Sequence, residues 1–285
     1  MEVLKKNILI ELLSISILFF IFIIFLSGAQ KPQTVYPAQG FIPAPSPTPT
    51  PFNPFPYNPP KIPYSRAYRI MLVGDSIIAS LGPNAQLLRQ HLIELYPEHE
   101  FVNYNYGFGA TSIETLPERL SQETTYKEQK FQSILSQGFD LIIIETFAYN
   151  PLPQYSDGEG LAKHISTLDE SIKQIILKKP EAVVTIMTPI APSKTLFAKG
   201  VYDLTPIERA EWAEERIVYI NKVIEYAREK QIPLINVYEK SLTPQGEADL
   251  KYINPDDYIH PSAAGVDLIS RTIADFIFSK KIFPE

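Results

Sequence analysis

From residue 66 onward, short apolar runs alternate with longer amphipathic stretches. Five of the apolar runs are short, which predicts strands. Because the strands alternate with helical patterns, the sequence predicts a mostly parallel sheet with helices on both faces. The five predicted strands are residues 69–73, 101–105, 141–145, 183–188 and 234–237.

Four amphipathic stretches between and after these runs predict helices. In "GLAKHISTLDESIKQIILKK", apolar residues such as Leu161, Ile165 and Leu168 recur at helical spacing. "PIERAEWAEERIVYINKVIEYAREK" begins with Pro206, which suits a first helical turn. The other two are "NAQLLRQHLIELYP", which ends at Pro97, and "SAAGVDLISRTIADFIF", which follows Pro261.

The N-terminal segment has a different composition. Residues 12–29 carry no charge, and about 18 apolar residues are near the minimum that spans a bilayer. Lys5 and Lys6 precede this segment and favour a cytoplasmic N-terminus. We therefore expect residues 1–30 to form a single-pass membrane anchor with the rest of the chain outside. The alternative is a cleaved signal peptide and a secreted protein, because Ser27-Gly28-Ala29 resembles a cleavage site.

Residues 31–65 are predicted to be a linker. Residues 31–63 contain twelve prolines, a composition that favours extended polyproline II and disfavours a packed core. Such a segment could reach on the order of 100 Å. It would be either a stalk or a passive spacer. The remaining residues, 66–285, are enough for one ordinary globular domain.

Charge and cysteine content exclude several classes of function. The net charge is −6, without a Lys/Arg-rich stripe, so no nucleic-acid partner is indicated. The chain has no cysteine, which excludes disulfides, thiolate chemistry, Cys-ligated zinc and a lipidated cysteine anchor. The composition does not indicate an oligomeric state.

Gly74-Asp75-Ser76 follows the first predicted strand directly. In an open α/β sheet, ligands bind at the carboxyl ends of the strands. Asp and Ser are also common helix caps, so Ser76 is either a cap residue or a nucleophile. The Gly-x-Ser-x-Gly elbow is excluded because Ile78 occupies the position of its second glycine.

A candidate base lies near the C-terminus, in "NPDDYIHPSAAG". Asp257 is three residues before His260, close enough to fold back, hold one ring nitrogen as N–H and leave the other as a base. A metal site built from Asp256, Asp257 and His260 is an alternative, although no further ligands have suitable spacing. The three other histidines are predicted to be structural: His91 on a helix surface, His99 in a polar turn and His164 near a helix start.

Together, "VGDSI" and "DDYIHPSAAG" resemble the two end motifs of the SGNH/GDSL hydrolases, over residues 68–278. The resemblance implies a three-layer α/β/α sandwich with a mostly parallel five-stranded sheet, the flavodoxin-like SGNH fold. It implies a serine esterase or acyl hydrolase that needs no metal or organic cofactor. Ser76 would be the nucleophile, His260 the base and Asp257 the carboxylate that orients it.

The resemblance also implies an oxyanion hole made of Ser76, Gly109 and Asn150. Gly109-Ala110-Thr111 matches the family's glycine motif, with Gly107 as the fallback. Asn150 departs from the family's Gly-x-Asn-Asp pattern, and its other interpretation is a turn residue before Pro151. Glu145, at the end of the third strand, either faces the site or closes the strand.

A dinucleotide-binding loop is an alternative interpretation of this segment, because Gly107 and Gly109 follow a strand. Ser112 stands where the third glycine of that fingerprint would lie, which argues against it.

These features predict a membrane-tethered, extracytoplasmic hydrolase of small-molecule or polysaccharide esters, including O-acetyl esters. The alternatives are an O-acetyltransferase and a catalytically silent carbohydrate- or envelope-binding domain on a stalk. The loop-like stretches 152–160 and 193–203 are predicted to line the pocket, with Tyr155, Phe197 and Tyr202 as candidates.

Overall fold

The structure, a computed structural model, describes residues 52–285, and its core is a five-stranded parallel sheet. The five predicted strands are confirmed. They are β1 (Ala67–Gly74), β2 (Glu100–Gly107), β5 (Leu141–Glu145), β6 (Val183–Met187) and β7 (Leu234–Ile235), with a separate hairpin of β3 (Thr124–Tyr126) and β4 (Gln129–Phe131). The order across the sheet is β2-β1-β5-β6-β7.

The helices are α1 (Ser76–Ala79), α2 (Gln86–Leu95), α3 (Leu116–Ser121), α4 (Asp157–Lys178), α5 (Pro206–Lys230), α6 (Val237–Lys240) and α7 (Ala263–Ser279). Short 3₁₀ turns occur at Ile113–Thr115, Ile134–Ser136 and Leu250–Tyr252. Local sequence fixes the starts of two long helices. Thr205 and Glu208 form a capping box at α5, and the Ser262 side chain accepts a hydrogen bond from the Gly265 N–H at α7.

Two hydrophobic cores lie on opposite faces of the sheet. Successive residues of β1 alternate between them: Ile70 and Leu72 join the core that contains α2 and α7, whereas Met71 and Val73 join the core that contains α4. This alternation follows from the two-residue repeat of a strand. Both faces are therefore covered, which agrees with the predicted α/β/α layers.

The domain begins earlier than residue 66. Residues 52–65, assigned to the linker from their prolines, lie against the sheet and form one compact unit with the rest, Phe52–Glu285. The Tyr57 N–H donates to the Lys230 carbonyl at 2.8 Å, and the Tyr57 hydroxyl accepts from the Val184 N–H at 2.9 Å. Tyr57 and Ile62 are buried. Aromatic side chains among the prolines anchor this part of the segment.

The predicted membrane anchor and most of the predicted linker lie outside the described residues. Within residues 52–285, none of the helices has both the length and the apolar character needed to cross a bilayer.

The strand order places the candidate site. β2 lies on one side of β1, and β5 lies on the other side. The strands that follow β2 are therefore added on the opposite side of β1, and the strand order switches between β1 and β5. Loops that leave the carboxyl ends of these two strands diverge and open a crevice between them. Ser76 follows β1 and Asn150 follows β5, so both lie at this crevice.

Candidate active site

Ser76 is the first residue of α1, directly after the turn that ends β1. Asp75 caps this helix, with its Oδ1 accepting from the Ile77 N–H at 2.9 Å. A methyl group on Gly74 would lie 2.5 Å from Ile78 Cγ1 and 2.8 Å from Glu145 Cβ, so only glycine fits this tight turn. Asp75 is therefore the helix cap, which leaves Ser76 half-buried on the wall of a cavity of about 680 Å³.

His260 is held by Asp257 within one tight loop. Asp257 Oδ2 lies 2.9 Å from His260 Nδ1, and Asp257 Oδ1 accepts from the His260 N–H at 2.9 Å and the Ile259 N–H at 2.7 Å. Tyr258, between them, has a φ of 53°, the left-handed conformation that turns the loop back on itself. The contact at Nδ1 leaves Nε2 as the ring nitrogen available to act as a base.

The surroundings of Asp257 favour its ionised form. Burial acts to raise the pKa of this carboxyl, but hydrogen bonds from the His260 and Ile259 N–H groups and from the imidazole outweigh burial and lower the pKa below its ordinary value. A carboxylate that stays charged stabilises the imidazolium that forms when His260 takes a proton.

Ser76 and His260 line the same cavity, although they are far apart in the sequence. Within the described part of the chain, no hydrogen bond joins their side chains. Catalytic hydrogen bonds commonly tighten only when substrate binds, so a shared cavity is the relevant geometry. Gly109 and Asn150 line the cavity as well, so four of the five predicted site residues meet there. The fifth, Asp257, does not line the cavity but contacts the imidazole of His260.

The position of Gly109 distinguishes it from Gly107. A methyl group on Gly109 would lie 3.5 Å from Ser76 Cβ, so this backbone runs beside the serine. A methyl group on Gly107 would lie 2.2 Å from the Ala79 nitrogen, which identifies Gly107 as the position where β2 packs closely against α1. Gly107 does not line the cavity of Ser76. Of these two glycines, Gly109 is therefore the one that lies beside Ser76.

Asn150 is linked to the turn that carries Ser76. Its Nδ2 donates to Asp75 Oδ2 at 2.7 Å, and its backbone N–H donates to the Phe147 carbonyl at 3.0 Å. The amide nitrogen carries two hydrogens, and Asp75 takes one of them. Asp75 therefore fixes the orientation of an amide at the edge of the cavity, although the residues around Asn150 depart from the family's pattern.

A second carboxyl, that of Glu145, lies behind this turn. Its Oε1 accepts from the Thr146 hydroxyl at 2.9 Å and its Oε2 from the Phe147 N–H at 3.0 Å. Asp75 and Glu145 are both fully buried. Burial first, and then the charge of Asp75, raise the pKa of Glu145 well above its ordinary value, so the site favours the neutral form of this carboxyl. Glu145 therefore supports Asp75 from the core and does not face the cavity.

Arg119 is a buried cation near the serine turn, and the charge of Asp75 acts on it. It is almost fully buried, donates through Nη1 to the Gly74 carbonyl at 3.2 Å and through Nη2 to the Tyr106 carbonyl, and stacks 4.2 Å from the Phe108 ring centroid. Burial lowers its pKa to about 10, which leaves it charged at neutral pH. Arg119 joins the ends of β1 and β2 beneath the site. Nothing in the sequence around Arg119 distinguishes it from a surface arginine on an amphipathic helix.

Sequence reasoning also missed the β3–β4 hairpin. Its two-residue turn, Lys127-Glu128, has φ angles of 47° and 64°. Such turns usually contain Asn or Gly, so "TTYKEQKF" gives no turn signal. The hairpin carries Tyr126 and Lys127 to the rim of the cavity, and α5 contributes Trp212 and Arg216.

The prediction of pocket-lining loops was half right. Phe197 and Tyr202 line the cavity as expected. Of the described side chains between 152 and 160, none lines it, and the Tyr155 hydroxyl instead donates to Glu114 at 2.9 Å. The start of α4 directs this stretch away from Ser76. That part of the cavity wall is formed instead by α5, through Trp212 and Arg216.

The other three histidines have structural contacts. His91, expected at a helix surface, is buried and bonds Asp267 at 2.8 Å through Nε2. His99 is also buried, with Nδ1 2.7 Å from the Ser65 carbonyl oxygen. His164 is fully buried and donates from Nε2 to the Thr146 carbonyl at 2.9 Å. The proposed metal site is not formed: within residues 52–285, no three potential ligand side chains converge on one point.

A larger cavity, of about 790 Å³, lies at the other end of the sheet. It is lined by Val183 and Leu234, at the amino ends of β6 and β7, and by residues 59–62 of the N-terminal segment. None of its described lining residues is a serine or a histidine. Its size therefore does not make it a rival to the Ser76 cavity.

Neither a protein-family model nor a curated protein sequence matches this chain. Solved structures do match its fold. A protein from Bacteroides fragilis described as an acylhydrolase has a TM-score of 0.51 and 13% identity, covering 80% of this chain and 94% of that one. A GDSL-like lipase from Bacteroides thetaiotaomicron has a TM-score of 0.50 and 12% identity, covering 75% and 89%. The domain thus has the SGNH/GDSL hydrolase fold, as its two end motifs predicted.

Proposed function

We propose that this protein is a serine carboxylic ester hydrolase in which Ser76, His260 and Asp257 form the catalytic triad. The observation that carries the proposal is that Ser76 and His260 line one cavity, with Asp257 Oδ2 2.9 Å from the far nitrogen of the imidazole. A serine hydroxyl is a poor nucleophile until a base takes its proton, and this arrangement supplies the base.

The reaction would proceed in two stages. Ser76 Oγ attacks the ester carbonyl carbon while His260 Nε2 takes the hydroxyl proton, and the carbonyl oxygen becomes an oxyanion. When the intermediate collapses, the C–O bond breaks and His260 returns the proton to the leaving alcohol. Water, deprotonated by His260, then attacks the acyl-enzyme, releases the acid and restores Ser76.

The oxyanion would be stabilised by the N–H groups of Ser76 and Gly109 and by the Asn150 amide. Three features support these roles: Ser76 begins a helix, Gly109 runs beside it, and Asp75 holds Asn150 at the cavity edge. We further propose that residues 1–30 anchor the domain to the outer face of the membrane. Lys5 and Lys6 lie before the uncharged residues 12–29, and this order supports a cytoplasmic N-terminus with the domain outside.

A fluorophosphonate probe tests the chemistry directly, because it modifies only an activated serine. We expect labelling of Ser76 in the full chain, located by peptide mass spectrometry, and a loss of kcat of about 10⁶ in Ser76→Ala. Ser80, which lines the same cavity, gives the matched control Ser80→Ala, expected to label normally. A folded protein whose Ser76 stays unlabelled would be a binding domain instead of a hydrolase.

A further inference from the structure

The charges around the Ser76 cavity differ in sign from those of the whole protein. The chain has a net charge of −6. The described residues that line the cavity include Lys127 and Arg216 but no Asp or Glu. A cavity whose described lining contains basic but no acidic side chains attracts negatively charged ligands, even in an acidic protein.

Arg216 is built into the wall of the cavity. Its side chain is only 11% exposed, and its guanidinium lies 4.9 Å from the Phe197 ring centroid and 5.3 Å from the Trp212 centroid. One nitrogen, Nη1, donates to the Trp212 carbonyl at 2.8 Å. These contacts hold the planar guanidinium of Arg216 in one orientation, so less conformational entropy is lost when it binds an anion.

The hydrogen bonds of Arg216 leave part of its binding capacity unused. Nη1 also lies 3.1 Å from Glu215 Oε2, but the Glu215 side chain is 44% exposed, so water weakens that ion pair. Nε is buried and has no partner among the described residues. Because Nε is buried, an anion in the cavity would bind through Nη2, which makes no hydrogen bond within the described residues.

An aromatic pair lies next to Arg216 on the same wall. The Tyr202 and Trp212 rings have centroids 5.4 Å apart at an angle of 56°, and Tyr202 is 52% exposed. Both line the cavity. Exposed aromatic faces beside fixed polar groups are the surface on which the apolar face of a sugar ring packs.

Lys127 reaches the cavity from a different element. The β3–β4 turn holds it at the rim, where its ammonium lies 5.4 Å from the Tyr126 ring centroid. It is exposed, so its charge acts mainly on ligands at the mouth of the cavity. Two cations on separate elements thus act on the same volume.

We propose that the cavity selects esters whose alcohol part is an anionic sugar, with Arg216 binding the anionic group, Lys127 adding positive charge at the mouth and Tyr202 and Trp212 packing on the ring. The proposal rests on the ester hydrolase function proposed above and adds its substrate class. A carboxylate and a phosphate share the required chemistry.

The test compares two substrates that differ only in charge: an O-acetylated methyl glucuronide and its carboxamide. With the full chain, we expect kcat/KM for acetate release to be roughly 10–100-fold higher for the glucuronide, and this ratio to fall with added salt. In Arg216→Gln the ratio should fall toward one, through loss of activity on the charged substrate. Arg271→Gln, which removes an exposed arginine on α7, should keep the ratio. An O-acetylated sugar 6-phosphate distinguishes phosphate from carboxylate.

Protection of Ser76 from the fluorophosphonate probe gives a second readout that does not depend on turnover. In the unmodified full chain, unacetylated glucuronide should slow the labelling of Ser76 more than its carboxamide does. In Arg216→Gln, both sugars should slow labelling only slightly and to the same extent. Equal kinetics and equal protection by the two sugars would overturn the anionic-substrate proposal while labelling of Ser76 upheld the hydrolase. If folded protein were not labelled at all, both proposals would fail.

Discussion

Two aspartates flank the candidate site, and they differ in burial and in the direction of their pKa shift. Asp75 is fully buried at the end of β1, whereas Asp257 is half-buried in a loop beside the cavity. Burial raises the pKa of Asp75 despite hydrogen bonds from the Ile77 N–H and the Asn150 amide. The pKa of Asp257 is lowered, because there burial is outweighed by the N–H groups of His260 and Ile259 and by the imidazole.

The comparison teaches that the two carboxyls serve different purposes. Asp75 belongs to a buried scaffold with Glu145 and Arg119 that holds the serine turn and Asn150 in place. Asp257 belongs to a local loop and holds one imidazole. We therefore expect changes in the loop to reduce rate with little effect on folding, and changes in the scaffold to reduce stability as well.

The largest expected effect is on the loop. Asp257→Asn should lower kcat by about 10⁴, because an amide that donates to Nδ1 would stabilise the tautomer that lacks a free base at Nε2. The midpoint of thermal unfolding should change little. Steady-state ester hydrolysis and calorimetry measure the two effects, and Asp256→Asn is the exposed control. A loss below tenfold would remove Asp257 from the mechanism.

Next is Asn150, where the two regions meet. Asn150→Ala should lower kcat by about 10²–10³ with little change in KM, since an oxyanion donor acts mainly in the transition state. Asn58→Ala, at an exposed position of the N-terminal segment, is the control. If kcat were normal in Asn150→Ala, its bond to Asp75 would be purely structural.

Glu145 tests the scaffold itself. Glu145→Ala leaves the Thr146 hydroxyl and the Phe147 N–H without an acceptor and opens a cavity, which should cost roughly 4 kcal/mol of unfolding free energy. Glu145→Gln keeps the shape and one acceptor and should cost about 1 kcal/mol. Urea unfolding measures both. Equal stability of the two variants would show that neither the volume of the residue 145 side chain nor its retained oxygen acceptor stabilises the scaffold.

The smallest effect is a pH dependence from His164, whose Nε2 bonds the Thr146 carbonyl next to Glu145. Burial lowers the pKa of His164 to about 4, so the folded protein keeps this ring neutral after the unfolded chain has protonated it. The neutral His164 ring contributes fully to the free energy of unfolding above pH 6.5. This contribution falls by about 3 kcal/mol as the pH drops from 6.5 to 4. Urea unfolding of His164→Gln should lack this part of the acid loss. An unchanged pH profile would contradict the assignment.

Local patterns were sufficient for the five strands of the sheet, the four long helices and two of the site's components. Continuously apolar runs located β5 and β6 most clearly, because a parallel strand buried on both faces is apolar throughout. Asp257 and His260 could be paired from their spacing alone, because a three-residue loop closes without help from the rest of the chain. Residues 52–65 were misassigned because proline content outweighed the signal of Tyr57 and Ile62.

The sequence by itself determined the order of strands and helices, the serine turn, the Asp257–His260 loop and an uncharged N-terminal segment. Only the tertiary structure decided that Glu145 and Arg119 support Asp75 from the core and that Arg216, Trp212 and Lys127 line the cavity. The physical reason is range. Helix caps and tight loops are set by neighbours a few residues away, whereas burial and charge at a site depend on which distant elements the sheet order brings together.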